Sequence, residues 1–181
     1  ISFEGFADEF DEMERQALNI SSWGDHVYVK IPVTNTKQQF TGTLIERLSK
    51  AGVALNVTAV MLPEQGRSIT ERLAPDTPAI ISVFAGRIAD SGRDPVPLMQ
   101  EAVEIIGAKP KAELIWASPR ELLNIFQADS IGCHIITATS DVLAKLHLVG
   151  KDLDAYSLET VQMFRSDAVE AGYTIKVPNA A

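Results

Sequence analysis

The chain has 181 residues, and its 16 basic against 24 acidic side chains give a formal net charge of −8. With 46% hydrophobic residues and a single cysteine, Cys133, it is neither a disordered chain, nor a collagen-like repeat, nor a disulfide scaffold. The acidic balance and scattered basic residues carry no footprint for nucleic acid, and no apolar run approaches the roughly 20 residues of a membrane helix.

Six short apolar runs rich in Val, Ile and aromatics read as strands buried on both faces. The first, 1–7, precedes Asp8, a residue suited to cap a helix that carries Phe10, Met13, Ala17 and Ile20 at helical spacing. After the second, 26–33, Phe40, Leu44, Leu48 and Ala51 mark a helix closed by Gly52 at the C′ position. The third, 53–60, leads into a short helix behind Pro63. The fourth, 79–84, is followed by Asp94-Pro95 and a helix face of Leu98, Ala102, Ile105 and Ile106. The fifth, 112–117, precedes a short helix after Pro119 with Leu122, Leu123 and Phe126 as its apolar stripe. The sixth, 132–137, leads to a helix beginning with Val142, Leu143 and Leu146. A further helix over 157–171 stands outside the repeat, and 172–181 reads as a polar tail.

Strict strand–helix alternation implies parallel strands joined by right-handed crossovers. The turn Phe6-Ala7-Asp8-Glu9 is not glycine-rich, and no Walker phosphate loop is present. Both facts favour an α/β fold that is part of a (β/α)8 TIM barrel, with about six of eight units, in one domain over 1–181. Residues two apart along a strand share a face, which groups Ser2, Glu4 and Phe6; Tyr28, Lys30 and Pro32; Asn56 and Thr58; Ser82 and Phe84; and Trp116 and Ser118. One face of each run therefore carries polar groups. Burying Glu4 or Lys30 alone costs about several kcal/mol, so a shared polar focus at one end of a barrel is expected.

Each residue also has a plainer reading. Lys30 serves as an edge-strand lysine, Glu4 as its ion-pair partner, Asn56 and Thr58 as partners for backbone groups, and Ser82 and Ser118 as turn caps. His26, His134 and His147 lack metal-ligand spacing with Cys133 or one another, so no metal site is expected, and His134 reads as a hydrogen-bonded core residue. Arg87 and Arg120 each follow a strand and read as an anion site.

Four segments in order, Val29-Lys30-Ile31-Pro32-Val33-Thr34, Leu55-Asn56-Val57-Thr58-Ala59-Val60 with Gln65, Ser82-Val83-Phe84-Ala85-Gly86-Arg87 and Ala117-Ser118-Pro119-Arg120, resemble the transaldolase family. These are class I aldolases that include the fructose-6-phosphate aldolases, and Ile1-Ser2-Phe3-Glu4 is similar to the family's third barrel strand. The resemblance implies a lysine Schiff base, no metal or organic cofactor, and sugar phosphates as small-molecule partners. It implies that Lys30 is the imine-forming nucleophile and that Glu4 works through a water as acid and base. Asn56, Thr58, Ser82 and Phe84 would surround the substrate and the catalytic water, and Arg87, Ser118 and Arg120 would hold a phosphate. Apolar neighbours Val27, Val29 and Ile31 are expected to desolvate the amine and favour its neutral form.

Glu4 and Phe84 stand where the aldolase branch has glutamine and tyrosine. Both favour transfer of a dihydroxyacetone unit to an aldehyde acceptor, because phenylalanine has no proton with which to release the unit. Fructose-6-phosphate aldolase activity is the second reading, and a catalytically impaired barrel fragment acting as scaffold or partner-binding module the third. Val83 replaces a usual proline, Pro119 a common aromatic residue, and Trp116 is bulky beside an expected alanine; together they are expected to narrow or reshape the phosphate end.

By the resemblance, the family's first two strands have no counterpart here. Its first-strand aspartate, the base of the bond-cleaving step, and its Thr-Asn-Pro segment go with them. A start inside a strand without an initiator Met reads as truncation, with open sheet edges at 1–7 and 132–137. These residues alone are expected to form the imine but transfer weakly. The helix over 157–171 is expected to pack on a second copy, as C-terminal helices do in short family members, giving a homo-oligomer. The lone thiol suits a reducing compartment, so a cytoplasmic location is expected, with no nucleic acid and no membrane among the partners.

Overall fold

Six parallel strands hydrogen-bond side by side in chain order: β1 (Ser2–Glu4), β2 (Tyr28–Pro32), β3 (Leu55–Val60), β4 (Ala79–Val83), β5 (Ala112–Trp116) and β6 (Ile135–Ile136). The computed structural model describes residues 1–177. The crossovers carry α1 (Phe10–Ser21), α2 (Gly42–Lys50), α3 (Pro63–Thr70), α4 (Ala85–Asp90), α5 (Pro95–Ile106) and α6 (Leu123–Ser130), and α7 (Ser140–Leu143) follows β6. The sheet curls into a half-barrel with β1 and β6 at its edges. The curl brings Asn56 of β3 over β2 to within 3.0 Å of the Ser2 hydroxyl on β1; in a flat sheet such alternate strands lie roughly 10 Å apart.

The two faces of the sheet divide the core. On the outer face Val29, Ile31, Val57, Ile81 and Leu114 are buried with Met13 and Ala17 of α1, Leu44 and Leu48 of α2, and Met99 and Ala102 of α5. A smaller cluster of Ile80, Ile115 and Ala117, joined by Tyr28, Phe84 and Ile135, lies on the concave face. Adjacent positions thus separate and positions two apart stay together, as the alternation requires. Gly52 takes φ +83° just past the C-cap Ala51 of α2, the left-handed conformation expected there.

Several element ends differ from the sequence reading, each for a local reason. Asp8 does not cap α1, whose N-cap is Glu9 without a side-chain bond. Its carboxylate instead accepts from the backbone N–H and hydroxyl of Thr36, at 2.8 and 2.7 Å, tying the loop after β1 to the loop after β2. Phe40 stands outside α2 because it closes that second loop in an antiparallel bridge with Thr34. In α6 it is Asn124 and Ala128 that are buried, while Leu123 and Phe126 are exposed. The sixth strand shrinks to two residues, and the helix expected from Val142 breaks into α7 and a 3-10 turn over Ala144–Leu148. His134 is exposed rather than in the core, with its Nδ1 accepting from the Leu114 backbone N–H at 3.1 Å. The short α4 was not anticipated.

The Asp8 clamp has a pH signature. The Thr36 hydrogen bonds, backbone first, hold its carboxyl below the ordinary 3.8. A carboxylate with a depressed folded-state pKa stabilises above its unfolded value and loses that contribution as pH falls through the folded one. Protection of the Thr36 amide, measured against its intrinsic exchange rate, is therefore expected to hold through neutral and mildly acidic conditions and to fall only as the Asp8 carboxylate, held below its ordinary range, takes up a proton. Asp8→Asn should lose part of that protection wherever the wild-type carboxylate is charged and match wild type once it is protonated.

The chain separates into two compact units, divided after Leu143. The second holds the 3-10 turn and α8 (Leu153–Glu170), capped by Asp152, whose Oδ1 accepts from the Ala155 N–H at 2.9 Å. This helix begins four residues earlier than its apolar pattern suggested, and Leu158, Val161 and Phe164 on it are exposed. Residues 173–177 are neither helix nor strand, and the end of the expected polar tail lies outside the described residues. No helix among the described residues is long and apolar enough to cross a membrane.

Candidate active site

The polar residues of the strands meet on the concave face. Parallel register places Glu4 of β1 opposite Lys30 of β2, and Lys30 opposite Asn56 of β3. Lys30 Nζ lies 3.5 Å from Glu4 Oε2, with the two side chains 30% and 46% exposed. A cavity of about 350 Å³ opens beside the amine, lined by Ser2, Lys30, Asn56, Thr58, Ser82 and Phe84 and closed by Ile115, Ala117, Ser118 and Thr137. Phe84, Ala117, Ser118 and Thr137 stand just past the C-terminal ends of their strands, the end at which barrel folds build their sites.

A hydrogen-bond chain orders the floor. The Ser82 hydroxyl donates to Asn56 Oδ1 at 2.7 Å, which leaves the Asn56 amide nitrogen to donate to Ser2 Oγ at 3.0 Å. The amide is thereby fixed in one orientation across three strands. Thr58 Oγ1 is buried with no hydrogen-bond partner, so a polar atom of a ligand can satisfy it. Tyr28, on the same face below Lys30, has its phenol pushed up chiefly by burial, with Glu113 adding repulsion.

Strand alternation fails at two places, and both shape the cavity. In β3 the register shifts between Val57 and Val60, with Ala59 at φ +62°, so Thr58 stays in the cavity while Val60 returns to the outer core. At the end of β5, Ser118 adopts φ +57°, which lets it line the cavity beside Ala117. Trp116 therefore does not share a face with Ser118. It is fully buried in the outer core, and its register partner across β4 is Val83, also in that core. The two departures at Val83 and Trp116 face each other away from the cavity and do not narrow it.

The amine's surroundings differ from expectation too. Val29 and Ile31 point into the outer core, and Val27 packs against it, so the apolar walls beside Lys30 are Phe84, Ile115 and Ala117. Arg87 and Arg120 do not line the cavity. The Arg87 guanidinium sits 5.2 Å from the centre of the Phe84 ring, and Arg120 is bound to Asp90. Ser2, Ser118 and Thr137 supply the rim hydroxyls; of these, Ser2 was legible as the residue two before Glu4, while Thr137 carried no signal. Among the described residues no cluster of three His, Cys, Asp or Glu side chains is placed to hold a metal ion.

The fold and site define a class: a parallel α/β half-barrel with an amine in a hydroxyl-lined cavity and, on the neighbouring strand, a carboxylate that reaches the amine but lines a separate pocket with Gly5, Phe6 and Gln16. Residues 1–176 match the family model for transaldolase/fructose-6-phosphate aldolase, and the chain belongs to that family. A probable transaldolase of Streptococcus equi subsp. equi (strain 4047) is 34% identical over 137 residues, 75% of this chain and 60% of the relative. A probable transaldolase of Streptococcus pyogenes serotype M5 (strain Manfredo) matches at the same identity and coverage. The matched stretch thus spans about 60% of the length of these curated relatives. A solved designed protein cage, cube-shaped and porous, aligns with 94% of this chain and 78% of its own at 8% identity; its TM-score of 0.28 is too low to inform the fold.

Proposed function

We propose that the chain carries the Schiff-base centre of a transaldolase, moving a dihydroxyacetone unit between sugar phosphates. The observation that carries this reading is the Lys30–Glu4 pair at 3.5 Å beside a cavity whose Asn56, Ser82 and Ser2 are already hydrogen-bonded into one chain. The Lys30 amine passes its proton through a water to the Glu4 carboxylate and adds to the ketose C2 carbonyl, and Glu4 returns that proton through the water to the departing hydroxyl, which leaves as water. The resulting iminium accepts the electron pair of the C3–C4 bond as a cavity water takes the proton of the C4 hydroxyl and the aldehyde fragment departs. Addition of the retained enamine to an acceptor aldehyde reverses these steps, and hydrolysis of the new imine returns Lys30.

The chain's own polar groups serve the three-carbon unit that stays bound. Asn56 and Ser82 are positioned for its hydroxyls, and the unpartnered Thr58 hydroxyl for a water or hydroxyl of the ketose. Phe84 offers a ring and no proton, which favours holding the unit until an acceptor arrives. Fructose 6-phosphate supplied alone should release little free dihydroxyacetone, whereas an added aldose phosphate should produce a new ketose phosphate. Free dihydroxyacetone accumulating without acceptor would replace this reading with an aldolase.

A further inference from the structure

The two arginines suggested for a phosphate pocket meet a third group that the sequence reading left out. Asp90, the last residue of α4, takes the Arg120 guanidinium side-on. Arg120 Nε donates to both carboxylate oxygens, at 3.0 and 3.1 Å, and one terminal nitrogen bonds Oδ2. The root of that side chain is also fixed, because Asn124 Oδ1 accepts from the Arg120 backbone N–H at 2.7 Å. Asp90 therefore occupies the edge with which an arginine forks a phosphate. Arg87, one turn earlier on α4, adds its field to the same carboxylate.

We infer that Asp90 sets how strongly this site prefers phosphorylated over unphosphorylated ketoses, acting through Arg120 as a built-in competitor for the phosphate. The inference rests on the aldolase reading of the cavity. Two guanidinium charges against one carboxylate leave a net of +1 for a dianionic group. A phosphate must either displace Asp90 or use only the terminal N–H groups of Arg120 that Asp90 leaves over. Asp90 remains charged throughout the neutral range, since the hydrogen bonds from Arg120 hold its carboxyl below the ordinary 3.8. Asp90→Asn separates holding from competing: its carbonyl still accepts from Nε, but the opposing charge is gone. Asp90 is half-exposed and at a helix end, so the substitution does not disturb the core.

The test titrates inorganic phosphate by calorimetry into wild type, Asp90→Asn, and Asp90→Asn combined with Arg120→Gln. Asp90→Asn is expected to bind phosphate about threefold to tenfold more tightly, with a gain that shrinks as salt rises and vanishes in the double variant. Unchanged or weaker binding in Asp90→Asn overturns the inference, as does a gain that survives loss of Arg120 or phosphate binding in none of the proteins. A role in merely holding Arg120 in place gives the opposite sign. Borohydride trapping with fructose and with fructose 6-phosphate runs in parallel. A Lys30 adduct without the phosphate gain sinks the role of Asp90 alone; a phosphate gain without any Lys30 adduct sinks the ketose reading alone.

Discussion

Gly86→Ala is expected to destabilise the chain by about 3 kcal/mol or more and to lower Tm by roughly 10 °C. A Cβ at position 86 would lie 1.5 Å from the Ser118 carbonyl oxygen and 2.6 Å from its carbonyl carbon. Neither atom can swing aside, because both belong to backbone. The Gly86 N–H also donates to the Ala117 carbonyl at 3.2 Å, so the start of α4 is fastened to the end of β5 at the point where Ser118 turns to φ +57°. Any relief of the clash must move Ser118, which lines the cavity, and so activity should fall along with stability. Thermal unfolding checks the effect against Gly66→Ala in α3, where a Cβ meets nothing within 4 Å and the gain in helix propensity is expected to be neutral or stabilising. Equal Tm values for the two variants would mean that the β5–α4 junction is not as close as described.

Lys30→Met is expected to cut ketol transfer by roughly 10³-fold or more while leaving the fold intact. The ion pair with Glu4 is partly exposed on both sides, and such pairs contribute about 1 kcal/mol at most. Stability and activity should therefore part company at this position, unlike at Gly86. Glu4→Gln keeps the shape of the partner but cannot take or give a proton, so kcat should fall by about 10²- to 10³-fold and the imine should form more slowly without being lost. Comparable losses of Tm and activity in Lys30→Met would point instead to a structural lysine.

The alternation of strands and helices was legible because consecutive parallel strands need crossovers of helical length, and periods of two and of 3.6 are written directly into the positions of Val, Ile and Leu. The joint at Gly86 and Ser118 was half legible. Their two segments were recognised separately, but nothing in one dimension says that they touch. Face assignments failed where the backbone leaves the strand conformation. The left-handed residues Ala59 and Ser118 reset the alternation, so Val60 returned to the outer core and Ser118 entered the cavity, while Trp116 followed Leu114 into the outer core. Neither residue is a glycine that would have flagged the change. Asp8 looked like a cap because it precedes a helical pattern; its partner Thr36 lies 28 residues away, beyond any local rule. Arg87 and Arg120 were legible as residues that follow strands, but that the Nε edge of Arg120 faces Asp90 and that the Arg87 guanidinium lies by the Phe84 ring is a matter of rotamer and partner that spacing does not encode.

Every step of the proposed transfer depends on covalent capture by one amine. Wild-type protein incubated with fructose 6-phosphate, reduced with borohydride and digested should yield a ketose-derived mass increment on the peptide that contains Lys30, and none in Lys30→Met. An unmodified Lys30 peptide, or the increment on another residue such as Lys37, would contradict it.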